Sequence, residues 1–186
     1  RLICVVVFTL FTGGLAHALP SFDEVRTSFV KSDALLLDRH GDVLHELRVD
    51  KKRRRLDWTP LKTISPALQE AVIQAEDRRI YDHEGVDYRS MAAAVIQGLT
   101  TESLRGASTI SMQVVSLLNK NLQAKQQRRS LWQKGQQILK AWDIEKEWSK
   151  EEILETYLNL VTFRGELQGI SAASRGVFGK DPHGLE

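Results

Sequence analysis

The feature that most constrains the fold is a series of capped, amphipathic helical segments after residue 64. Ser65 followed by Pro66 marks a helix start, because a serine side chain caps free backbone N–H groups and proline fits the first helical position. The apolar residues that follow recur at the spacing of one helix face: Leu68, Ala71, Val72 and Ala75. The sequence therefore predicts a helix that begins at residue 66.

Two further helices are predicted in the same way. Asp87 can cap a helix whose apolar residues are Met91, Ala94, Val95 and Leu99. Ser149 and Glu152 form a capping box before a stripe of Leu154, Leu158 and Val161. Residues 101–107 are polar and contain glycine, so we expect a loop there. The rest of the chain after residue 64 is predicted to be helical, which makes the fold class mainly α.

A small β element is predicted before these helices. Residues 34–37 and 43–49 have strand character, and a turn over His40-Gly41-Asp42 joins them. Residues 21–33 show a weak amphipathic pattern, which indicates a short helix. Residues 51–55 read Lys-Lys-Arg-Arg-Arg, and two interpretations compete: a solvated loop, or a contact with anionic lipid headgroups.

The N-terminal residues 2–19 form a largely apolar run that follows a positive residue. Its length lies between that of a signal peptide and that of a spanning helix, and Ala16-His17-Ala18 is typical of a signal-peptidase site. Anchor and cleaved signal both remain open, and both place the following residues outside the cytoplasm. We predict a membrane segment over 1–20, a membrane-proximal segment over 21–64 and a helical domain over 65–186, within a longer protein.

Charge is unevenly distributed although the net charge is only +2. The low net charge predicts no nucleic-acid binding, and the single cysteine, Cys4, excludes an internal disulfide. Residues 116–141 contain no acidic residue and carry the cations Lys120, Lys125, Arg128, Arg129, Lys134 and Lys140. This segment is either a solvated helix face or a positive wall for a polyanion or an anionic bilayer. The nearby tryptophans, which suit a membrane interface or a core equally, are Trp132, Trp142 and Trp148.

Residues 75–87 are the first candidate site. Glu76 falls at the end of a buried helix face, where partial desolvation would raise its carboxyl pKa toward the value that a general base needs. In the alternative interpretation this is a polar helix end, in which Arg78 and Arg79 pair with Glu76 and Asp77. A metal site formed by Asp77 and His83 is a weaker third alternative.

Residues 105–113 are the second candidate site. Gly106 is followed by Ser108 and Thr109 at a predicted helix start, so backbone N–H groups and hydroxyls converge there. Such an arrangement suits a phosphate or a sugar oxygen. Taken alone, this segment is better interpreted as an ordinary helix cap.

Together these segments resemble glycosyltransferase family 51, the transglycosylase domain of class A penicillin-binding proteins, over residues 34–182. The family's first motif, Glu-Asp-x-x-Phe-x-x-His-x-Gly, is matched by Glu76, Asp77, His83 and Gly85, with Ile80 at the phenylalanine position.

The other four motifs follow in the family's order. The second, Gly-x-Ser-Thr-x-x-x-Gln, is matched in full by Gly106, Ser108, Thr109 and Gln113. The third, Arg-Lys-x-x-Glu, keeps only Lys134, and Gln137 stands where glutamate is usual. The last two are matched by residues 153–159 and 178–180.

The resemblance implies a lysozyme-like helical fold and an inverting glycosyl transfer. The donor would be a glycan strand linked to undecaprenyl diphosphate, and the acceptor would be the lipid-linked disaccharide lipid II. Glu76 would take the proton of the acceptor hydroxyl, and Lys134 would stabilise charge on the departing diphosphate. Gln137 completes the implied catalytic set; it can hydrogen-bond but cannot supply a carboxylate charge.

The resemblance also implies a set of substrate-binding residues: Asp77, His83, Gly106, Ser108, Thr109, Gln113, Arg128, Arg129 and Asn159. Of these, Asn159 has a second expected role, which is to hold helices together with Glu155. A divalent cation, Mg²⁺ or Mn²⁺, could assist at the diphosphate, but the sequence contains no dedicated set of metal ligands.

The implied location is the outer face of the bacterial inner membrane, reached through a single-pass anchor, with a transpeptidase domain possible outside this fragment. Two rival functions stay open. A lysozyme-like muramidase or lytic transglycosylase would also use one glutamate at a helix end. A non-catalytic scaffold of cell-wall synthesis would explain Gln137.

Overall fold

The computed structural model describes residues 19–98, 108–119 and 131–185. Seven α-helices lie in these ranges: α1 (Phe22–Thr27), α2 (Pro66–Glu76), α3 (Tyr88–Gly98), α4 (Ile110–Leu118), α5 (Leu131–Glu147), α6 (Lys150–Leu160) and α7 (Ile170–Phe178). The strands are β1 (Asp33–Leu37), β2 (Val43–Arg48), β3 (Arg54–Arg55), β4 (Thr162–Arg164) and β5 (Leu167–Gln168). The expectation of a mainly helical fold with a small β element is confirmed.

The predicted helix starts are confirmed by their capping hydrogen bonds. The Ser65 side chain accepts from the backbone N–H of Leu68 at the start of α2. Asp87 Oδ1 accepts from Ser90 N at 3.0 Å at the start of α3. Ser149 and Glu152 form both bonds of the capping box on α6. These are local interactions, which is why the sequence alone predicts them.

Helix α4 lies at the centre of the domain and contacts both α5 and α6. Its Ile110, Val114 and Val115 side chains are fully buried, and they pack in one apolar cluster with Leu154 and Leu158 of α6. The short helix α1 joins the same cluster, because the ring of Phe22 packs edge-on against the ring of Trp148. Helix α1 is therefore part of the helical domain rather than a separate extension.

The β1–β2 hairpin is antiparallel, as predicted, with Ala34 opposite Leu47. Its second strand ends at Arg48 instead of residue 49. A second, three-stranded sheet has the order β3-β5-β4. The chain after residue 64 was predicted to be helical apart from one loop. This prediction is wrong for residues 162–168, which form β4, a tight turn and β5. The tight turn between them uses Gly165, whose φ of 55° is readily adopted by glycine.

The basic stretch 51–55 is not simply a solvated loop. Arg54 and Arg55 form β3, which pairs in parallel with β5. The guanidinium of Arg54 lies 3.4 Å from Asp33 Oδ2, and that of Arg55 lies over the ring of Phe29. Only the first part of the stretch, residues 51–53, is exposed.

The features predicted to lie at a membrane have mixed outcomes. Trp148 is a core residue, whereas Trp132 is exposed. None of the helices in residues 19–98, 108–119 and 131–185 is long and apolar enough to cross a bilayer. The predicted N-terminal membrane segment, apart from its last two residues, lies outside the described residues, as do Lys120, Lys125, Arg128 and Arg129 of the basic segment.

Candidate functional site

A polar cleft of about 420 Å³ opens at the C-terminal end of α2. Its walls come from α2, the turn that follows, the start of α3 and the segment before α4. The lining residues are Gln74, Ala75, Glu76, Asp77, Arg78, Arg79, Asp87, Ser90, Ser108 and Thr109. The cleft therefore contains residues of both candidate sites, which are separated by about thirty positions in the sequence.

Glu76 is the last residue of α2 and its side chain faces the open cleft. The side-chain amide of Gln113 on α4 donates to Glu76 Oε2 at 3.0 Å. Glu76 is exposed, so the expectation of a partly desolvated carboxylate is wrong for this structure. The reason is its position: the buried face of α2 has already ended, and Ile73 is the last buried residue of that helix.

Asp77 is buried directly beside Glu76 and joins three segments. Its Oδ2 accepts from the backbone N–H of Ile110 at 3.0 Å, and its Oδ1 lies 3.0 Å from Nε2 of His83. The carboxylate thus holds the start of α4 against the end of α2. The interpretation in which the arginines pair with Glu76 and Asp77 is wrong, because both acidic side chains have other partners.

Arg79 instead pairs with Asp87, at the start of α3. Two guanidinium nitrogens contact the carboxylate at 2.7 and 3.0 Å, and the Ser90 hydroxyl donates to the same group at 2.7 Å. Burial alone would raise the pKa of Asp87, but the hydrogen bonds from Ser90 and Arg79 outweigh it and lower the pKa to about 2. This pair, which fixes one wall of the cleft, was not predicted from the sequence.

The second candidate site connects the cleft to α5. Thr109 caps α4 by accepting from Met112 N at 3.2 Å, and its hydroxyl donates to the carbonyl of Gly85 at 2.5 Å. The neighbouring Ser108 hydroxyl accepts from Nζ of Lys134 at 2.5 Å. Ser108 therefore lines the cleft together with Glu76, the base candidate, and also bonds to Lys134, the cation candidate.

Gln137 and Asn159 lie in the protein interior. Gln137 is 0% exposed and its amide donates to the Ser116 hydroxyl at 2.6 Å, between α5 and α4. Asn159 exchanges hydrogen bonds with the backbone of Thr59 at 2.8 and 2.9 Å. Neither residue lines the cleft within the part of the chain that the structure describes. Their positions give them packing roles, which for Asn159 agrees with the expectation that it holds segments together.

An ion pair between Glu145 and Lys150 supports the turn that carries His83, and no sequence pattern indicated this pair. Lys150 Nζ contacts Glu145 Oε2 at 2.6 Å and donates to the His83 carbonyl at 2.6 Å, and the Ser111 hydroxyl donates to the same glutamate. Five positions separate Glu145 from Lys150 across a helix boundary, so no single helix face shows this pair.

Tyr157 is a second residue near the site that the sequence analysis did not identify. It is buried in α6, and burial raises the pKa of its hydroxyl above the ordinary value, with a further increase from the negative charge of Glu76. Its position within residues 153–159, which match the fourth family motif, is the one sequence feature that indicated a place near the site.

Gly106, Arg128 and Arg129 lie outside the described residues, so their predicted substrate contacts stay predictions. Among the residues that are described, no group of three or more His, Cys, Asp or Glu side chains is placed to hold a metal ion.

Comparison with known proteins matches residues 40–186 to the family described as Transglycosylase. The chain is 42% identical over 127 residues to a biosynthetic peptidoglycan transglycosylase of Aeromonas hydrophila, which covers 67% of this chain and 51% of that protein. It is 34% identical over 157 residues to penicillin-binding protein 2D of Bacillus subtilis, covering 84% of this chain and 22% of that one. Penicillin-binding protein 4 of the same organism is 28% identical over 96% of this chain and 30% of its own length. The chain spans about half the length, or less, of these relatives.

Proposed function

This chain belongs to the transglycosylase family, glycosyltransferase family 51, and from that membership we propose that it is a peptidoglycan glycosyltransferase. It polymerises lipid II into glycan strands and releases undecaprenyl diphosphate. The family match covers most of the chain, and three relatives carry names that state cell-wall synthesis or penicillin binding.

The proposed reaction begins with proton removal at Glu76. The carboxylate takes the proton of the acceptor's sugar hydroxyl, and that oxygen forms a bond to the anomeric carbon of the donor with inversion. The bond between the anomeric carbon and the diphosphate oxygen breaks, and its electron pair leaves with the diphosphate. Gln113, which donates to Glu76 Oε2 at 3.0 Å, fixes the direction of the other carboxylate oxygen toward the cleft.

Lys134 supplies the counter-charge for the leaving group in this proposal. A cation that is already placed where negative charge develops lowers the barrier without reorganisation. The Ser108 hydroxyl accepts from Lys134 Nζ at 2.5 Å, and Ser108 lines the same cleft as Glu76, which supports a place for the ammonium group next to that cleft. Ser108 is then placed to contact the sugar or diphosphate oxygens, whereas the buried Thr109 hydroxyl already bonds to Gly85 and Met112.

The single observation that carries the proposal is that residues of two sequence motifs line one cleft and a residue of a third motif bonds to that lining. Glu76 and Ser108 line it together, and Lys134 bonds to Ser108. Because these residues lie on α2, the segment before α4, and α5, a purely structural role for each motif would not require them to converge.

Glu76→Gln provides the test. With purified protein and lipid II, we expect this variant to lose polymerisation while its thermal unfolding stays within a few degrees of wild type, since Glu76 is exposed. Glu70→Gln, an exposed-helix change on α2 outside the cleft lining, is the matched control and should polymerise normally. Glycan length is followed by gel separation of a labelled product.

Two results would contradict the proposal. If wild type shortened preformed glycan and did not extend lipid II, the protein would be a hydrolase or lytic enzyme. Wild-type activity no higher than that of Glu76→Gln would favour a scaffold of cell-wall synthesis.

The proposal extends to location and subgroup. We place the protein at the outer face of the bacterial inner membrane, with lipid II and the growing strand as its partners. The proposal includes a transpeptidase domain elsewhere in the full-length protein. It also assigns the chain to the subgroup of penicillin-binding protein 1C, on the basis of the strand pair before the first motif, Gln137 and residues 167–170. Mg²⁺ or Mn²⁺ would act at the diphosphate, without a dedicated set of protein ligands among the described residues.

A further inference from the structure

A largely buried ion pair lies next to the turn that follows Glu76. Glu145, near the end of α5, and Lys150, at the start of α6, form this pair, with 2.6 Å between Oε2 and Nζ. We propose that these two residues are positioning residues for glycosyl transfer, because their contacts hold both neighbours of Glu76. The inference rests on the proposed function and extends it to two residues that do not line the Glu76 cleft.

Stability alone does not account for a charged pair at this place. Only 6% of the Glu145 side chain and 20% of the Lys150 side chain are exposed. Buried charges lose their hydration, and apolar side chains of similar size often stabilise a fold equally well. The pair of Asp143 and Lys146 on the same helix remains hydrated, since both side chains are more than half exposed. The buried pair differs from it through its contacts with two segments that reach Glu76.

The first connection runs through α4. The Ser111 hydroxyl, which is fully buried, donates to Oε1 of Glu145. Ser111 lies in the first turn of α4, two positions before Gln113. The side-chain amide of Gln113 donates to Glu76 Oε2 at 3.0 Å. Because backbone hydrogen bonds hold one helical turn together, Glu145 helps to fix the position from which Gln113 reaches Glu76.

The second connection runs through the turn between α2 and α3. Lys150 Nζ donates to the His83 carbonyl at 2.6 Å. Nε2 of His83 lies 3.0 Å from Asp77 Oδ1, and Asp77 directly follows Glu76 in the chain. Nδ1 of His83 is buried and has no hydrogen-bond partner among the described residues. The ring is therefore oriented by Asp77 and by the backbone that Lys150 holds.

Glu145 also packs directly against this turn. A β-carbon built on Gly85 would lie 3.2 Å from Cγ of Glu145, and the Gly85 carbonyl accepts from the Thr109 hydroxyl at 2.5 Å. The turn is thus held between α5 and the start of α4. Loss of the ion pair would therefore move both supports of Glu76, and a misplacement of about 1 Å can lower a catalytic rate by about 100-fold.

The test removes the pair without leaving one buried charge unpaired. The double variant Glu145→Leu, Lys150→Met replaces both side chains by apolar ones of similar size. With lipid II as substrate, we expect kcat to fall by roughly 10- to 100-fold, whereas KM should change by less than about twofold. Rates are measured well below the unfolding temperature of each variant. Lys150→Arg keeps the charge and the donors, and its kcat should lie closer to that of wild type.

Asp143→Asn, Lys146→Met is the matched control, because it neutralises an exposed pair on the same helix. Its kcat should stay within about twofold of wild type. Ser111→Ala deletes only one hydroxyl and should lower kcat by at least about threefold. This smaller change tests the first connection even if the double variant does not fold, and an unaltered rate would then overturn the inference.

A second readout does not depend on turnover. In ¹⁵N NMR spectra, the side-chain amide signals of Gln113, identified by their loss in Gln113→Leu, should shift when Glu76→Gln is introduced. We expect this response to be lost when the same change is made in the Glu145→Leu, Lys150→Met background. A pair that only stabilises the fold would leave the response intact.

The outcomes separate this inference from the proposed function. An unaltered kcat in the folded double variant, or a loss explained entirely by its unfolded fraction, would overturn the positioning role and leave the polymerase proposal intact. If wild type failed to polymerise lipid II, the proposed function would be lost. The Gln113 signals would then decide alone whether the ion pair positions Glu76: a response lost in the double variant supports it, and a response retained overturns it.

Discussion

At the scale of single residues, the proposed base and the proposed counter-charge each have a polar hydrogen-bond partner. Glu76 is held by Gln113, and Lys134 is held by Ser108, so each reacting group has a partner that restricts its side-chain rotamers. Glu76 is nevertheless exposed. In the proposed reaction, desolvation of its carboxylate therefore comes from the bound substrate rather than from the fold.

Replacement of Lys134 should affect the chemical step rather than the fold. We expect Lys134→Met to lower kcat by roughly 100- to 1000-fold, the usual effect of losing one charge-stabilising group. Lys134→Arg keeps the charge and should retain more of the rate, and Lys62→Ala, at an exposed position outside the cleft, should leave kcat unaltered. Steady-state rates with lipid II measure the effect; a change confined to KM would contradict the assigned role.

At the scale of secondary-structure elements, the cleft depends on how the ends of α2, α3 and α4 are joined. Asp77 links the end of α2 to the start of α4, and Asp87 links the start of α3 to Arg79. Thr109 caps α4 and bonds to the turn at Gly85. The loop between α2 and α3, which directly follows Glu76, is thereby held by contacts from three directions.

Local elements of this arrangement were predictable and long-range ones were not. The caps at Ser65, Asp87 and Ser149 follow from residues within three positions of each other, and the predicted helix starts are confirmed. The exposure of Glu76 and the burial of Gln137 depend on neighbours from other helices. Motif order indicated the family, but it could not indicate which motif residues face the cleft and which face the core.

The Asp87 carboxylate should make stability depend on pH. Its pKa is about 2 in the folded protein against an ordinary 3.8, so the unfolded chain binds protons first as the pH falls. The stabilisation is complete above about pH 4 and is lost between about pH 4 and 2, with a size on the order of 2 kcal/mol. The destabilisation caused by Asp87→Asn, measured by denaturant unfolding, should therefore shrink as the pH is lowered from 6 to 2.5.

Asp57→Asn is the matched control, because Asp57 pairs with Lys31 at an exposed position. Its effect should stay below about 1 kcal/mol at every pH. An Asp87→Asn effect that is constant from pH 6 to 2.5 would show that the carboxylate charge does not stabilise α3.

Gly85 should tolerate no side chain. Its φ is 83°, and a β-carbon there would collide with the backbone carbonyl of Ala141 on α5. Gly41 also has a positive φ, 89°, but has open space around it. We expect Gly85→Ala to destabilise the protein by at least about 1 kcal/mol more than Gly41→Ala, because only the former forces α5 to move. Equal shifts in the midpoint of thermal unfolding would contradict this packing argument.

At the scale of the whole molecule, the segment before α2 is fastened to α6 by two polar side chains. Glu155 accepts from Trp58 Nε1 and from Leu61 N, both at 2.7 Å. Asn159 lies one turn further along α6. Its side-chain amide accepts from the backbone N–H of Thr59 and donates to the Thr59 carbonyl. Residues 58–61 are thus part of the domain, and the family match beginning at residue 40 agrees with this extent.

Removal of the Glu155 carboxylate should loosen this attachment. We expect Glu155→Ala to lower the free energy of unfolding by about 2–4 kcal/mol, because two donors lose a charged acceptor. Glu151→Ala, at an exposed site on the same helix, should change it by less than about 0.5 kcal/mol. Denaturant unfolding followed by tryptophan fluorescence gives both values, and similar effects in the two variants would exclude a fastening role for Glu155.

The small sheet β3-β5-β4 also has a consequence for biosynthesis. Strand β3 pairs with a strand far along the chain, and the side-chain bond from Arg55 to Gln168 spans 113 positions. During translation, β3 emerges from the ribosome long before β5 has been synthesised. The sheet at this edge of the domain therefore cannot form until β5 has also emerged.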